Sequence, residues 1–252
     1  MLYSARTDIG LHRSSNQDSF STLGITDSLT FLLVCDGMGG ANGGEEASRI
    51  ACETATASIR RDLDVLLSTS DLDVDKYMPK ILTYAAREAN LAVYDRAQEE
   101  PALAGMGTTF VGAVIYGDTL YAVNVGDSRL YVISETEATQ VTRDHSYVQY
   151  LVDLGVMTSS QAETSSKRNI ITRAIGTDET VDPDTYTVVL DEDCHILLCS
   201  DGLSGMVDRA EIVRIVNGEG TLDEKTDALL AEANRNGGVD NITVILARPG
   251  QE

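Results

Sequence analysis

Two apolar rhythms alternate along the chain. Phe31-Leu32-Leu33-Val34-Cys35 is a continuous apolar run that ends on Asp36-Gly37-Met38-Gly39-Gly40. A run with no polar alternation suits a strand covered on both faces, with glycines that stop it and let backbone approach a ligand. His195-Ile196-Leu197-Leu198-Cys199, followed by Ser200-Asp201-Gly202, repeats the design, and Val239-Asp240-Asn241 before Ile242-Thr243-Val244-Ile245-Leu246 inverts it. Further strands are predicted over 2–8, 18–23, 169–173 and 185–190. The segments 108–116, 119–125 and 129–134 read as a three-strand meander with Gly117-Asp118 as one turn.

Between the strands the period lengthens. Ala47, Ile50, Ala51, Ala55, Ile59 and Leu63 recur at helical spacing, which predicts a helix over 45–63 with Glu45 and Glu46 in its first turn, where the dipole favours acids. Ile81, Leu82, Ala85, Ala89, Ala92 and Val93 predict a second over 76–98, after an acidic linker at 71–75. Helices are expected at 147–153, 208–216 and 222–234, the last opened by a Thr221/Glu224 capping box, with a polar segment over 158–168. Strand runs broken by helix pairs argue for an α+β architecture, helices outside antiparallel sheets.

Composition narrows the function. The 252 residues, 42% of them hydrophobic, suffice for one sizeable core, so residues 1–252 are expected to form a single domain. A formal charge of −21 disfavours nucleic acid and anionic membrane as partners. No apolar stretch is long enough to span a bilayer, and residues 1–8 lack a signal-peptide core, so a cytoplasmic protein is expected. Cys35, Cys52, Cys194 and Cys199 have no C-x-x-C spacing and read as reduced core thiols.

The chemistry lies in the aspartates. Asp36 and Asp201 close strands and Asp240 opens one, so antiparallel neighbours bring them to one rim of a sheet, where Asp18 can join them. Ionised carboxylates so gathered repel one another unless a cation neutralises them. Hard oxygen ligands without a His/Cys cluster suit Mg²⁺ or Mn²⁺ rather than zinc.

The segments 10–18 (Gly-Leu-His-Arg-Ser-Ser-Asn-Gln-Asp), 36–40 (Asp-Gly-Met-Gly-Gly), 106–109 (Met-Gly-Thr-Thr), 125–129 (Val-Gly-Asp-Ser-Arg), 142–146 (Thr-Arg-Asp-His-Ser), 200–202 (Ser-Asp-Gly) and 240–243 (Asp-Asn-Ile-Thr) follow one another in the order of a known family. The chain resembles the PP2C-type (PPM) metal-dependent protein serine/threonine phosphatases, in their bacterial pattern. The resemblance implies a four-layer αββα sandwich, two antiparallel sheets flanked by helix pairs, and hydrolysis of phosphoserine and phosphothreonine by a water bridging two metal ions. It implies Asp36 as the bridging carboxylate, Asp201 and Asp240 on one metal, the Gly37 carbonyl with Asp18 on the other, and Asp127 on a third, weaker ion. Arg13 matches the family's phosphate-binding arginine, and its planar fork suits phosphate oxygens.

Met38 stands where many eukaryotic relatives carry a histidine, so no histidine among His12, His145 and His195 is expected to serve as general acid. The segment of about 146–168 takes the place of a variable flap. Arg173 reads equally as a salt-bridge residue and is left outside the site. Expected partners are phosphoproteins, the substrates of a serine/threonine kinase, met by a monomer. A catalytically silent domain of the same fold that binds or senses, or a small-molecule phosphatase, remains the alternative; p-nitrophenyl phosphate with Mn²⁺ separates the first from an enzyme. Dinucleotide binding at 31–50 fails because Asn42 stands at the third glycine position, and cysteine phosphatase C-x₅-R spacing is absent.

Overall fold

The computed structural model describes residues 1–26, 29–69 and 73–249, with residues 40–42 by backbone alone. Two antiparallel sheets face each other. One has the order β1 (Leu2–Asp8), β11 (Ile242–Arg248), β10 (His195–Cys199), β7 (Arg129–Ile133), β8 (Ala138–Gln140). The other runs β2 (Asp18–Thr26), β3 (Leu29–Met38), β5 (Phe110–Tyr116), β6 (Thr119–Val125), β9 (Asp184–Val189), with the short β4 (Gly107–Thr108) paired to the end of β3.

The unbroken apolar runs are explained by this layering. On β3, Leu32 and Val34 point between the sheets, whereas Phe31, Leu33 and Cys35 pack under α1 (Gly40–Ser68) and α2 (Val74–Glu99). On β10, Ile196 and Leu198 face the other sheet, and Leu197 and Cys199 meet α5 (Asp201–Ser204), α6 (Arg209–Val216) and α7 (Leu222–Arg235). A strand buried on both faces has no reason to alternate. The result is the helix–sheet–sheet–helix sandwich that the sequence implied.

Several boundaries differ from expectation. β3 does not stop at Asp36 but continues to Met38, pairing Gly37 with Thr108. Helix α1 begins at Gly40, so Glu45 and Glu46 lie beyond its first turn. Glycines are poor helix formers, yet Gly44 must be one: a Cβ there would lie 2.7 Å from the Gly37 carbonyl carbon. Helix α2 starts at Val74 on an Asp73 cap, which takes up part of the expected acidic linker; positions 71 and 72 lie outside the described residues. The Thr221/Glu224 capping box is present on α7.

The three-strand meander is corrected. β5 and β6 pair, but β7 belongs to the opposite sheet, beside β10. The chain crosses between sheets at Gly126-Asp127-Ser128, where Gly126 takes φ 110. No strand forms over 169–173; Ile171 makes a single bridge to Ser146, and Thr172 N–H donates to the His145 carbonyl at 2.8 Å. The polar segment holds α4 (Ser159–Glu163) after α3 (Tyr147–Asp153), and the stretch from 146 to 171 that contains both is fastened end to end.

Candidate active site

The aspartates meet at one end of the sandwich, but from both sheets rather than one rim. Asp18 and Asp36 stand opposite each other on β2 and β3. Asp201 follows β10 and Asp240 precedes β11, its antiparallel neighbour in the other sheet. Asp127 sits on the crossover between the two. A cleft of about 430 Å³ opens there, lined by Arg13, Asp36, Gly37, Asp127, Asp201 and Asp240, with Ser14, Ser15, Met38 and the flap-side residues Asn169 and Ile171 among its other walls. Asp18 is not on the surface of this cleft but is buried beside it. A second hollow, of about 360 Å³, lies by the outer side of α2 around Lys80, Tyr84 and Arg87, and has no carboxylate lining it.

Backbone and buried hydroxyls fix the carboxylates. Asp36 N–H donates to Thr109 Oγ1 at 2.9 Å, and Thr109 Oγ1 lies 2.7 Å from Ser128 Oγ, which ties β3 to the crossover. Ser200 Oγ donates to Asp18 Oδ2 at 2.8 Å and accepts from Thr243 N–H at 2.9 Å, which joins the two sheets. Asn241 pins the loop that carries Arg13: its Oδ1 accepts from Gln17 N–H at 2.8 Å, and its Nδ2 donates to the Ser15 and Ile9 carbonyls at 3.0 Å each. Arg13 Nη2 donates to Asp240 Oδ2 at 2.6 Å, with its guanidinium half exposed over the cleft.

The electrostatics follow from this crowding. Burial, with Asp201 and Asp240 adding like charge, pushes the Asp18 carboxyl up to about 7 against the hydrogen bonds from Ser200 and Thr243. Burial and the Asp201 and Asp144 charges push Asp127 up to about 8. Asp36 is raised well above the usual carboxylate range by burial and then by Asp18, Asp201, Asp127 and Asp240. Asp201 is raised by burial and by Asp240, with a hydrogen bond to Asp36 pulling the other way. Arg13 is shifted up, chiefly by its hydrogen bond to Asp240.

Two oxygens test whether a cation fits. Asp18 Oδ1 and Asp201 Oδ1 are buried with no hydrogen-bond partner, an arrangement that costs free energy unless something positive meets it. The donors are all hard oxygens, which suit Mg²⁺ or Mn²⁺. Among the described residues no three acidic, histidine or cysteine side chains close into a finished ligand shell, and Asp240 has one oxygen committed to Arg13. The donor chemistry and the two orphaned oxygens favour a cation over a proton-sharing cluster.

The remaining candidates are placed as follows. Arg173 does not line the cleft; it donates to Asp184 Oδ1 and the Asp182 carbonyl, both at 2.8 Å. His12 is exposed in a turn, His195 is buried at the end of β10 away from Asp201, and His145 lies against the crossover backbone. Sequence reasoning missed Ser200, Asn241, Thr109 and Ser128 as supports. Their signal was adjacency, since Ser200, Asn241 and Ser128 each touch a candidate aspartate in the chain. Asn169 and Ile171 were missed as cleft walls because that stretch reads as a strand.

Comparison with known proteins identifies the family and the fold. Residues 12–238 match the family described as protein phosphatase 2C. The chain is 36% identical over 253 residues to the protein phosphatase PhpP of Streptococcus pneumoniae, covering 100% of this chain and 99% of that one. The solved structure of the serine/threonine phosphatase Stp1 from Staphylococcus aureus superposes with a TM-score of 0.90 at 35% identity, covering 99% and 95%. The catalytic domain of the serine threonine protein phosphatase PstP, solved in complex with two manganese ions, superposes with a TM-score of 0.81 at 34% identity, covering 97% and 96%.

Proposed function

The chain belongs to the protein phosphatase 2C family and is a metal-dependent protein serine/threonine phosphatase, and we propose that it works through Arg13, Asp18, Asp36, Gly37, Asp127, Asp201 and Asp240. The observation that carries this assignment is the convergence of carboxylates from two sheets on one cleft, two of their oxygens buried and unpartnered, with Arg13 above them. Asp36, Asp201 and Asp240 are the residues that would hold one Mg²⁺ or Mn²⁺, Asp36 with Asp18 and the Gly37 carbonyl a second, and Asp127 a third, weaker ion. When bound, such ions supply positive charge for the phosphoryl oxygens and lower the pKa of water.

The chain's own residues do the rest. Arg13 presents a planar donor fork to two phosphate oxygens and releases Asp240 as it does so. Asn169 and Ile171 bring the flap side to the cleft wall, so the segment over 146–168 selects among phosphoproteins rather than cleaving them. Asp127 holds water at the leaving-group side, which leaves no histidine indispensable. The substrates are those of a serine/threonine kinase in the cytoplasm, and the protein acts as a monomer; in support, no helix among the described residues is long and apolar enough to cross a membrane.

The test is hydrolysis of p-nitrophenyl phosphate and of a phosphothreonine peptide, after EDTA treatment and after return of Mn²⁺ or Mg²⁺. EDTA is expected to abolish both activities and the cation to restore them. Full activity after exhaustive chelation would overturn the assignment.

A further inference from the structure

The crossover that carries Asp127 is gripped from two sides. On one, Gly126 packs on Thr109 so tightly that a Cβ would lie 2.7 Å from Thr109 Cγ2, and Ser128 bonds the Thr109 hydroxyl. On the other lies His145. Its backbone N–H donates to the Gly126 carbonyl at 2.8 Å, and its ring Nδ1 lies 3.1 Å from the Gly126 N–H. Both polar groups of residue 126 are therefore bonded by residue 145, the carbonyl sharing itself with Asn124 Nδ2 at 3.2 Å.

The hydrogen bonds select one tautomer. A backbone N–H can only donate, so Nδ1 must carry a lone pair, and a neutral ring then carries its proton on Nε2. Nε2 lies 3.1 Å from Asp184 Oδ2, which can only accept while ionised. Arg173 Nη1 also lies 3.1 Å from Nε2, but a donor facing N–H makes no bond; its hydrogens go to Asp184 Oδ1 and the Asp182 carbonyl. The opposite tautomer would set two donors face to face at Gly126. Asp184 thus orients the ring, and Arg173 orients Asp184.

We propose that His145, held as the Nε2–H tautomer by Asp184, is a positioning residue that fixes the Gly126 peptide and thereby aims Asp127 into the cleft. The inference rests on the reading of Asp127 as the ligand of the weakest cation. His145 neither lines the cleft nor touches substrate, so its effect must be read at the Asp127 position. Asp184 lies outside the cleft as well; its side chain reaches Gly126 through the ring, while its backbone pairs with Asn124, whose Nδ2 also donates to the Gly126 carbonyl at 3.2 Å.

The experiment titrates the full-length apoprotein with Mn²⁺ by calorimetry and measures phosphopeptide kinetics. His145→Leu removes the Nδ1 acceptor, whereas His145→Asn can place a side-chain carbonyl where Nδ1 stood. Asp184→Ala frees the tautomer and Asp184→Asn keeps an acceptor for Nε2–H. The weakest Mn²⁺ event is expected to weaken about tenfold in His145→Leu and Asp184→Ala, the scale seen when a residue supporting a ligand is lost, with the tighter events unchanged. The two Asn variants are expected to recover to within about threefold of wild type.

If His145→Leu does not fold, the Asp184 pair alone decides. A weak event unchanged in the apolar variants, Asn variants no better than the apolar ones, or equal weakening of every event each overturn the proposal. Wild type that binds no Mn²⁺ overturns instead the reading on which it rests.

Discussion

Ser200 reaches across the sandwich to Asp18: its hydroxyl, at the end of β10, donates to Asp18 Oδ2 at 2.8 Å on β2 of the facing sheet. The same oxygen accepts the Thr243 N–H, so one buried hydroxyl satisfies a carboxylate and a backbone amide at once. Ser200→Ala leaves the amide unpaired and Asp18 with less support. Loss of about 1–3 kcal/mol of stability is expected, the cost of a buried donor left unmade. Urea unfolding in EDTA measures it, and a repeat in Mn²⁺ reports the accompanying fall in cation stabilisation.

Asp36 is expected to behave against the usual rule that core substitutions destabilise. The cluster around it has carboxyl pKa values raised in the folded state, at about 7 for Asp18 and about 8 for Asp127. Groups so shifted bind protons more readily folded than unfolded. Their contribution is full below about pH 4 and is lost as pH rises through 7 to 8. Asp36→Asn replaces, at little change in volume, a buried carboxyl that burial and then the Asp18, Asp201, Asp127 and Asp240 charges hold well above the usual range, so its ionisation no longer opposes folding as pH rises. In EDTA its Tm at pH 8 should exceed that of wild type, with a smaller difference at pH 5 and none below about pH 4, while Mn²⁺ should no longer raise it. A lower Tm for the variant at pH 8 in EDTA contradicts this.

Arg13 should separate binding from stability. Its ion pair with Asp240 is half exposed and is worth about 0–1 kcal/mol. Arg13→Ala should leave Tm unchanged, free an Asp240 oxygen, and lower kcat/KM on any phosphoester by about ten- to a hundredfold. Arg13→Lys should fall between, keeping charge without the fork. Equal kcat/KM for wild type and Arg13→Ala would return the residue to the surface.

His195 gives stability the opposite pH slope. Burial, then the charges of Lys225 and Arg248, push its imidazole down to about 4, and its Nδ1 is buried without a partner. The unfolded chain takes up a proton near 6.5 that the folded chain refuses. This group therefore costs nothing above about pH 7, and its penalty grows as pH falls to about 4, then levels. His195→Gln should flatten the Tm profile between pH 4 and 7 relative to wild type, in EDTA and Mn²⁺ alike. Parallel profiles would show that the imidazole takes up its proton as readily in the fold as in the unfolded chain.

Much of this was legible because burial on both faces leaves a plain mark in the sequence. Phe31 to Cys35 and Ile196 to Cys199 are apolar without interruption, and each stops within two residues of its aspartate. What periodicity does not carry is which sheet a strand joins. Arg129 to Ile133 looks like the third strand of a meander, and only the Gly126 turn against Thr109 sends it across. Nor do propensities foresee a helix that begins among glycines at Gly40, where close approach to Gly37 outweighs the cost. The supporting roles of Ser200, Asn241 and His145 escaped notice for a related reason. A polar residue beside a functional one has no period, and its partners lie far away in sequence.

The pairing of β1 with β11 bears on synthesis. β11 fills the gap between β1 and β10, and among the described residues β1 pairs with no other strand. Asp240 and β11 emerge from the ribosome after every other element described, so a growing chain keeps two sheet edges open and its cleft unfinished until β11 is made. A product cut short before Asp240 would lack the strand that joins β1 to β10, and is expected to be silent and prone to stick to its neighbours. Activity is in this sense a certificate of completed translation through β11.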